Sequence, residues 1–285
     1  MTRYLLTITD THAGNRLALC NPDCVLTDED AHGSLRPWKP SLSHMQVYLW
    51  RVYQQDVAAV VEHVGHDELI VTHAGDSTQG LRHQEHLMTT RLSDQIQIAE
   101  ANMAPLLALP NVKRVRILKG TNGHSFGEGS AEALLAALLQ ARHPALDVEC
   151  LYHGRFNVDG VWFDISHHGP SGGTRLHVEG NAARNYLRDR LTREVLTGQE
   201  PTRVIVRGHH HVWTHESVEL ETKTGDVTCD LVIVPGYVGI GEYERKRLQS
   251  LPIQTHGMCL FRVDDGRLEV IPLKRTVDLR TEEIL

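Results

Sequence analysis

The sequence predicts an α/β sandwich with a mixed sheet. Three observations carry that expectation. Short apolar, β-branched runs alternate with longer helical patterns through most of the chain. The last two runs face each other across Asp264-Asp265-Gly266, an antiparallel hairpin signal. Composition is that of a globular chain: 41% hydrophobic and 23% charged residues in 285, which makes disorder, a collagen-like repeat or a coiled coil poor alternatives.

The elements follow in order. Residues 4–9, 68–72, 112–118, 147–151, 161–165, 203–206 and 229–234 read as strands, and 258–263 with 267–273 as the terminal hairpin. Residues 43–64 form a long helical pattern closing on Gly65, which suits a helix end. Residues 90–109 form a second, interrupted or started late by Pro105. Residues 128–142 are rich in Ala and Leu, and 178–196 make the fourth. The stretch 14–40 carries Gly, Pro, Asp and Asn with little periodicity and is too long for a plain connection. One domain over 1–285 is expected, with a long loop insertion at about 13–42.

Charge and cysteine usage narrow the class. Lys and Arg number 29 against 36 acidic residues, a net charge of −7, which argues against a broad basic face for nucleic acid and leaves room for a small basic pocket. Five cysteines at Cys20, Cys24, Cys150, Cys229 and Cys259 do not make a disulfide framework, and no second pair completes a zinc site with Cys20 and Cys24. No apolar run approaches the roughly 20 residues of a membrane span, so no membrane partner is expected. The opening residues 1–10 are too broken by Thr for a secretory signal. A cytoplasmic protein is expected.

Histidine is over-represented: 19, against 4 Phe and 7 Tyr, so their placement matters. Five strand patterns each run into Asp, Asn or His. They deliver Asp10-Thr11-His12, His73-Ala74-Gly75-Asp76, Lys119-Gly120-Thr121-Asn122-Gly123-His124, Ser166-His167-His168-Gly169 and Arg207-Gly208-His209-His210-His211. In open α/β sheets the carboxyl ends of strands are where ligands bind, so groups distant in sequence would converge there. Two carboxylates, an amide oxygen and several imidazoles make a mixed nitrogen and oxygen ligand set, suited to Mn2+, Fe or Zn2+. Seven candidates exceed the needs of one metal and point to two, roughly 3.5–4 Å apart, with a carboxylate bridging.

The pattern resembles the calcineurin-like metallophosphoesterase superfamily, whose motifs run Asp-x-His, Gly-Asp, Gly-Asn-His, a lone His, then Gly-His-x-His. Here they read Asp10-Thr11-His12, Gly75-Asp76, Gly120-Thr121-Asn122-Gly123-His124, His167 or His168, and Gly208-His209-His210-His211. The resemblance runs from residue 4 to about 212 and implies a four-layer α/β/β/α sandwich around a two-metal centre. It implies that Asp10, His12 and His211 hold one metal, that Asp76 bridges, and that Asn122, His167 and His209 hold the other. It implies that His124 protonates the leaving oxygen without ligating. The third motif is longer than the family's, so Thr121 or a water is an alternative to Asn122. His167 is preferred to His168 because it comes first after the strand. The Gly-Thr-x-x-His form and the loop after Asp-x-His resemble a phage and prophage branch, which implies a bacterial or phage-infected cell.

The expected activity is metal-dependent phosphoester hydrolysis, with Mn2+ as first choice of cofactor and Fe, Zn2+ or Ni2+ as alternatives. A phosphodiester is favoured on the phage-like resemblance, with DNA or RNA as candidate partners and a small-molecule monoester as the alternative. A non-catalytic binding or assembly module with a vestigial metal site is the competing class. A metallo-β-lactamase reading of Ser166-His167-His168-Gly169 ranks low, because no His-x-His-x-Asp-His cluster is present. His73, His83 and His86 read as solvated or as orienting a ligand imidazole, Arg16 and Arg82 as surface residues or phosphate contacts, and Trp38, Trp50, Trp162 and Trp213 as packing residues. Oligomeric state is not legible in the sequence.

Overall fold

A computed structural model of the chain describes residues 2–127, 130–172, 180–223, 225–241, 253–281 and 283. In chain order the elements are β1 (Arg3–Ile8), β2 (Leu26–Glu29), β3 (Leu35–Trp38), α1 (His44–Val64), β4 (Glu68–His73), α2 (Leu92–Leu107), β5 (Val112–Leu118), α3 (Ser130–Arg142), β6 (Asp147–Leu151), β7 (Gly154–Val158), β8 (Val161–Ile165), α4 (Asn181–Leu196), β9 (Val204–Arg207), β10 (Thr214–Thr222), β11 (Gly225–Ile233), β12 (Ile253–Asp264) and β13 (Arg267–Asp278). They build a six-stranded sheet in the order β13-β12-β1-β4-β5-β6 and a five-stranded sheet in the order β10-β11-β9-β8-β7. The strands β1, β4, β5 and β6 run parallel, while β12 joins β1 antiparallel, so the sheet is mixed as expected.

Neighbouring residues in the central strands show why these runs are apolar without alternation. Leu5 and Ile70, with Phe261 beside Leu5 in the same sheet, face the opposite sheet and share one apolar cluster with its Phe163, Ile165 and Val206. Their neighbours Leu6, Leu69 and Val71 face α1, α2 and α3. In the second sheet Val204 and Val206 point inward, while Ile205 points out toward Leu187 and Leu191 of α4. Side chains alternate across a strand, so a strand buried on both faces must be apolar at every position. The result is four layers, α/β/β/α.

Local chemistry sets the helix ends. Ser43 and Gln46 form a reciprocal capping box at the start of α1, and Gly65 ends it at φ 57°. Pro105 lies inside α2 rather than ending it. It has no N–H for the Ala101 carbonyl four residues back, and Asn21 Nδ2 donates to that carbonyl at 2.8 Å instead. Asn21 and Asn102 further stitch the connection after β1 to α2.

The sequence patterns missed β7 and β10, whose polar, partly exposed edge positions hide the strand signal. The strands β12 and β13 are longer than expected because their outer ends are polar: β12 carries Gln254 and His256 near its start, buried although polar, and β13 ends in the mostly exposed residues 274–278. Their turn has Asp265 and Gly266 both at positive φ, as the Asp-Gly signal requires. The irregular stretch 14–40 contains the two-stranded β2–β3 hairpin. The expected starts of the third and fourth helices, at 128–129 and 178–179, lie outside the described residues. The five cysteines are free. Among the described residues no helix is long and apolar enough to cross a membrane.

One buried charge lies away from the sheet edge. Asp56 on α1 is fully buried, accepts a hydrogen bond from Tyr237 Oη at 2.8 Å and lies 3.4 Å from Arg275. Burial pushes its carboxyl up to about 6 against the pull of Tyr237 and Arg275. The folded chain therefore holds a proton that the unfolded chain has released above its pKa of about 3.9. Stability attached to this group is complete below pH 4 and is lost as pH rises through 6, about 2–3 kcal/mol in all. The stability difference between the parent chain and Asp56→Asn, from urea titrations at pH 4 and pH 7, should shift by that amount. A difference that stays flat with pH contradicts it.

Candidate metal centre

The carboxyl ends of β1, β4 and β5 lie level, since Ile8 pairs with His73 and His73 with Ile117. The segments leaving β1 and β4 stay zipped together: Asp10 N–H donates to Gly75 O, His12 N–H to Asp76 O and Ala13 N–H to Ser77 O. Within the second sheet Gly208 N–H donates to His167 O, and the link to the first sheet is made by His209 N–H, which donates to Asp10 Oδ2 at 3.0 Å, and by His167 Nδ1, which donates to Ala74 O. Five strand ends thereby meet in one place.

The chain bends sharply there. Asp10, His12, Asp76, His209 and His211 all have positive φ, from 41° to 71°. Left-handed backbone costs roughly 1–2 kcal/mol at a residue with a Cβ, less for Asp, and such strain gathers at functional sites. Close approach explains two glycines. A Cβ at Gly120 would collide with the Asp76 backbone nitrogen and Oδ1, and one at Gly208 with Thr9 Oγ1 and Asp10 Oδ2.

Asp10 and Asp76 are buried, as are His12 and His167. Asp10 Oδ1 lies 3.0 Å from His211 Nε2 and 3.7 Å from His12 Nε2, and the two imidazole nitrogens are 3.4 Å apart. Asp76 Oδ2 lies 3.0 Å from His167 Nε2 and 4.0 Å from His12 Nε2, so this carboxylate stands between two imidazole groups. Its other oxygen accepts from Thr121 N–H at 2.5 Å. Thr9 Oγ1 donates to Asp10 Oδ2 at 2.6 Å. His167 Nδ1 donates to Ala74 O at 2.8 Å, which turns Nε2 toward Asp76. His124 Nδ1 donates to Gln79 O at 2.8 Å, and its ring centre lies 4.6 Å from that of His12.

Four sets of donor atoms come within 4.8 Å of one another: Asp10, His12 and His211; Asp10, Asp76 and His167; His12, Asp76 and His124; and His167, His168 and His209. Each could hold a cation. The electrostatics fit one. Burial alone would raise Asp10, yet His211, His167 and His12 hold it well below the ordinary carboxylate range. Asp76 is likewise held low, against its burial, mainly by His167. Burial opposes a charge on His167, but Asp10 and Asp76 lift it to about 9. His124 and His209 are pushed by burial down to about 4. The buried carboxylates thus recruit positive charge, and a proton on His167 supplies it when no cation does. His12 Nδ1 is buried and has no hydrogen-bond partner among the described residues.

The structure gathers Asp10, His12, Asp76, His124, His167, His209 and His211 at this edge. Asn122 is exposed at the rim of an adjoining cavity of about 550 Å3, which also exposes Lys119, Tyr152 and His168. Thr121 stands beside the imidazoles: its Oγ1 lies 3.3 Å from His167 Nε2 and 3.4 Å from His209 Nδ1. His73 is buried beneath the site with Nε2 2.9 Å from Thr11 Oγ1. His83 is exposed, with its ring 6.5 Å from that of His124. Arg16 and Arg82 are exposed. Sequence reasoning passed over Arg207, the buried residue before Gly208. Its guanidinium bonds Asp164 through both side chain and carbonyl, anchoring the 208–211 segment. Its position at a strand end beside the Gly-His motif was the available signal.

Comparison with known proteins adds little. No family model and no curated protein matches the chain. Among solved structures, the crystal structure of a metallophosphoesterase from Sphaerobacter thermophilus is similar, with 15% identity, 94% of this chain and 87% of that chain covered, and a TM-score of 0.34.

Proposed function

We propose that the chain is a metal-dependent phosphoesterase. The observation that carries this reading is the buried Asp76 carboxylate standing between His12 and His167, with Asp10 completing the same cluster. In this reading Asp10, His12 and His211 would hold one divalent cation, His167 and His209 would help hold a second, and Asp76 would serve both. Mn2+ is the first choice, with Fe, Zn2+ or Ni2+ as alternatives. Two such cations supply Lewis acidity that makes water nucleophilic near neutral pH and offsets charge on the phosphoryl oxygens. The chain's own part is positional. Ala74 O and Thr121 N–H fix His167 and Asp76 before substrate arrives. His124, anchored through Nδ1, is neutral in the free protein at pH 7. An arriving phosphate raises its proton affinity. Nε2 of His124 then takes a proton from solvent; as the oxygen of a water forms its bond to phosphorus, the P–O bond to the leaving group breaks, the electron pair stays on the departing oxygen, and His124 Nε2 gives that oxygen the proton while the attacking water loses one to solvent.

A phosphodiester substrate is preferred. That preference rests on the likeness of Gly120-Thr121-Asn122-Gly123-His124 to the phage-type motif, with nucleic acid as a candidate and a small monoester as the alternative. The net charge of −7 weighs against a long duplex.

His124→Ala should lower turnover by about 10²–10⁴-fold while bound metal, measured by mass spectrometry, stays at the parent level. Loss of metal would make His124 a ligand. Asp76→Asn should lose both metal and activity. Because His167 is protonated up to about pH 9 in the metal-free chain, cation uptake at pH 7.5 must expel that proton. Apparent affinity should therefore climb with pH and level off near 9, and a pH indicator should register acid release on metal addition. Affinity independent of pH between 7 and 9 contradicts that linkage.

The deciding experiment is hydrolysis by chelator-stripped, Mn2+-reloaded protein across an aryl monoester, an aryl diester and single- and double-stranded DNA. No metal-dependent turnover on any of them favours the binding-module alternative. A nucleic-acid substrate requires binding that weakens with salt in log–log fashion.

A further inference from the structure

We propose that His168 is a ligand of the second cation and takes the coordination position that the family resemblance gives to Asn122. The inference rests on the phosphoesterase reading for the presence of two cations, and it departs from that resemblance in who holds the second.

Two observations lead to it. The residue that follows Gly120 is Thr121, and it occupies the place beside the second imidazole group. Its N–H is committed to Asp76, and its hydroxyl lies near both His167 Nε2 and His209 Nδ1. A neutral hydroxyl is a weak donor for a divalent cation compared with imidazole or carboxylate. The two-residue extension of this loop carries Asn122 outward, where its side chain is exposed and makes no hydrogen bond with another described residue. The vertex therefore lacks a strong ligand from β5.

The second observation is the triple contact of imidazoles on the facing sheet. The ring of His168 lies 4.8 Å from that of His167 and 4.6 Å from that of His209, and His167 and His209 are 5.1 Å apart. All three pairs meet edge to face, at 69–74°. One nitrogen from each ring lies within 4.8 Å of the others. The His168 side chain makes no hydrogen bond to any described residue. Three imidazoles turned together in this way resemble the three-histidine side of a tetrahedral site. Asp76, beside His167, supplies the oxygen.

The donor sets of the two positions then differ. Asp10, His12, His211 and Asp76 offer two nitrogens and two oxygens, whereas His167, His168, His209 and Asp76 offer three nitrogens and one oxygen. The nitrogen-rich position suits Zn2+ or Co2+ better than Mn2+.

The test uses full-length protein stripped of metal and titrated with Zn2+ and Co2+. Readouts are metal per chain after dialysis, Zn2+ affinity by competition with a chromogenic chelator, and the visible spectrum of bound Co2+. His168 is exposed, so His168→Ala should keep the parent melting temperature of the metal-free chain. It should retain one cation per chain, or bind the second at least 10-fold more weakly, and lose part of the Co2+ absorption. His168→Asp should restore the second cation, and Asn122→Ala should bind two with parent affinity. If His168→Ala binds both cations as tightly as the parent, or Asn122→Ala loses one, the proposal is overturned while the phosphoesterase reading stands. If the parent chain takes up no divalent cation, both fall together.

Discussion

Two carboxylates buried at one sheet edge set the terms for the rest of this molecule. An ionised carboxylate removed from water is costly unless positive charge or hydrogen bonds compensate it. Asp10 and Asp76 receive both, from Thr9, the Thr121 and His209 backbone amides, and a ring of imidazoles. The amides help hold the carboxylates ionised, and His167 carries a proton while no cation is bound. The site is thus organised as a receptor for positive charge.

That arrangement is held under strain, and the sandwich makes the strain affordable. Five residues of the cluster sit in left-handed backbone, and two glycines permit contacts that no side chain would survive. Segments this contorted need rigid supports on both sides. They have them in the six-stranded sheet, in the facing five-stranded sheet, and in the apolar layer of Leu5, Ile70, Phe163, Ile165 and Phe261 between. Arg207 and Asp164 serve the same end from the second sheet, by pinning the 208–211 segment to β8.

Much of the site was legible because catalytic-type residues at strand ends leave a mark in one dimension. An apolar run followed at once by Asp-x-His or Gly-His-x-His is unusual, and a parallel sheet delivers such ends to one edge. Asp10, His12, Asp76, His167, His209 and His211 could be read in that way. Thr121 and His168 could not be ranked against Asn122. Their standing depends on the path of the loop after β5 and on how far one imidazole lies from another, and neither is a property of residue order. The strands β7 and β10 escaped for a different reason: as edge strands they bury too little to look apolar.

By itself the sequence determined the alternation of most strands and helices, the Gly65 end of α1, the terminal hairpin and the chemical types gathered at the sheet edge. These follow from periodicity and from short-range hydrogen bonding, which act between residues close in the chain. Only the tertiary structure decided that Asp76 stands between two imidazole sets, that Asn21 satisfies the carbonyl freed by Pro105, and that Asp56 is buried with Tyr237 and Arg275. Each of these joins residues separated by tens to hundreds of positions. Such contacts form only when packing of the apolar layers brings the segments together.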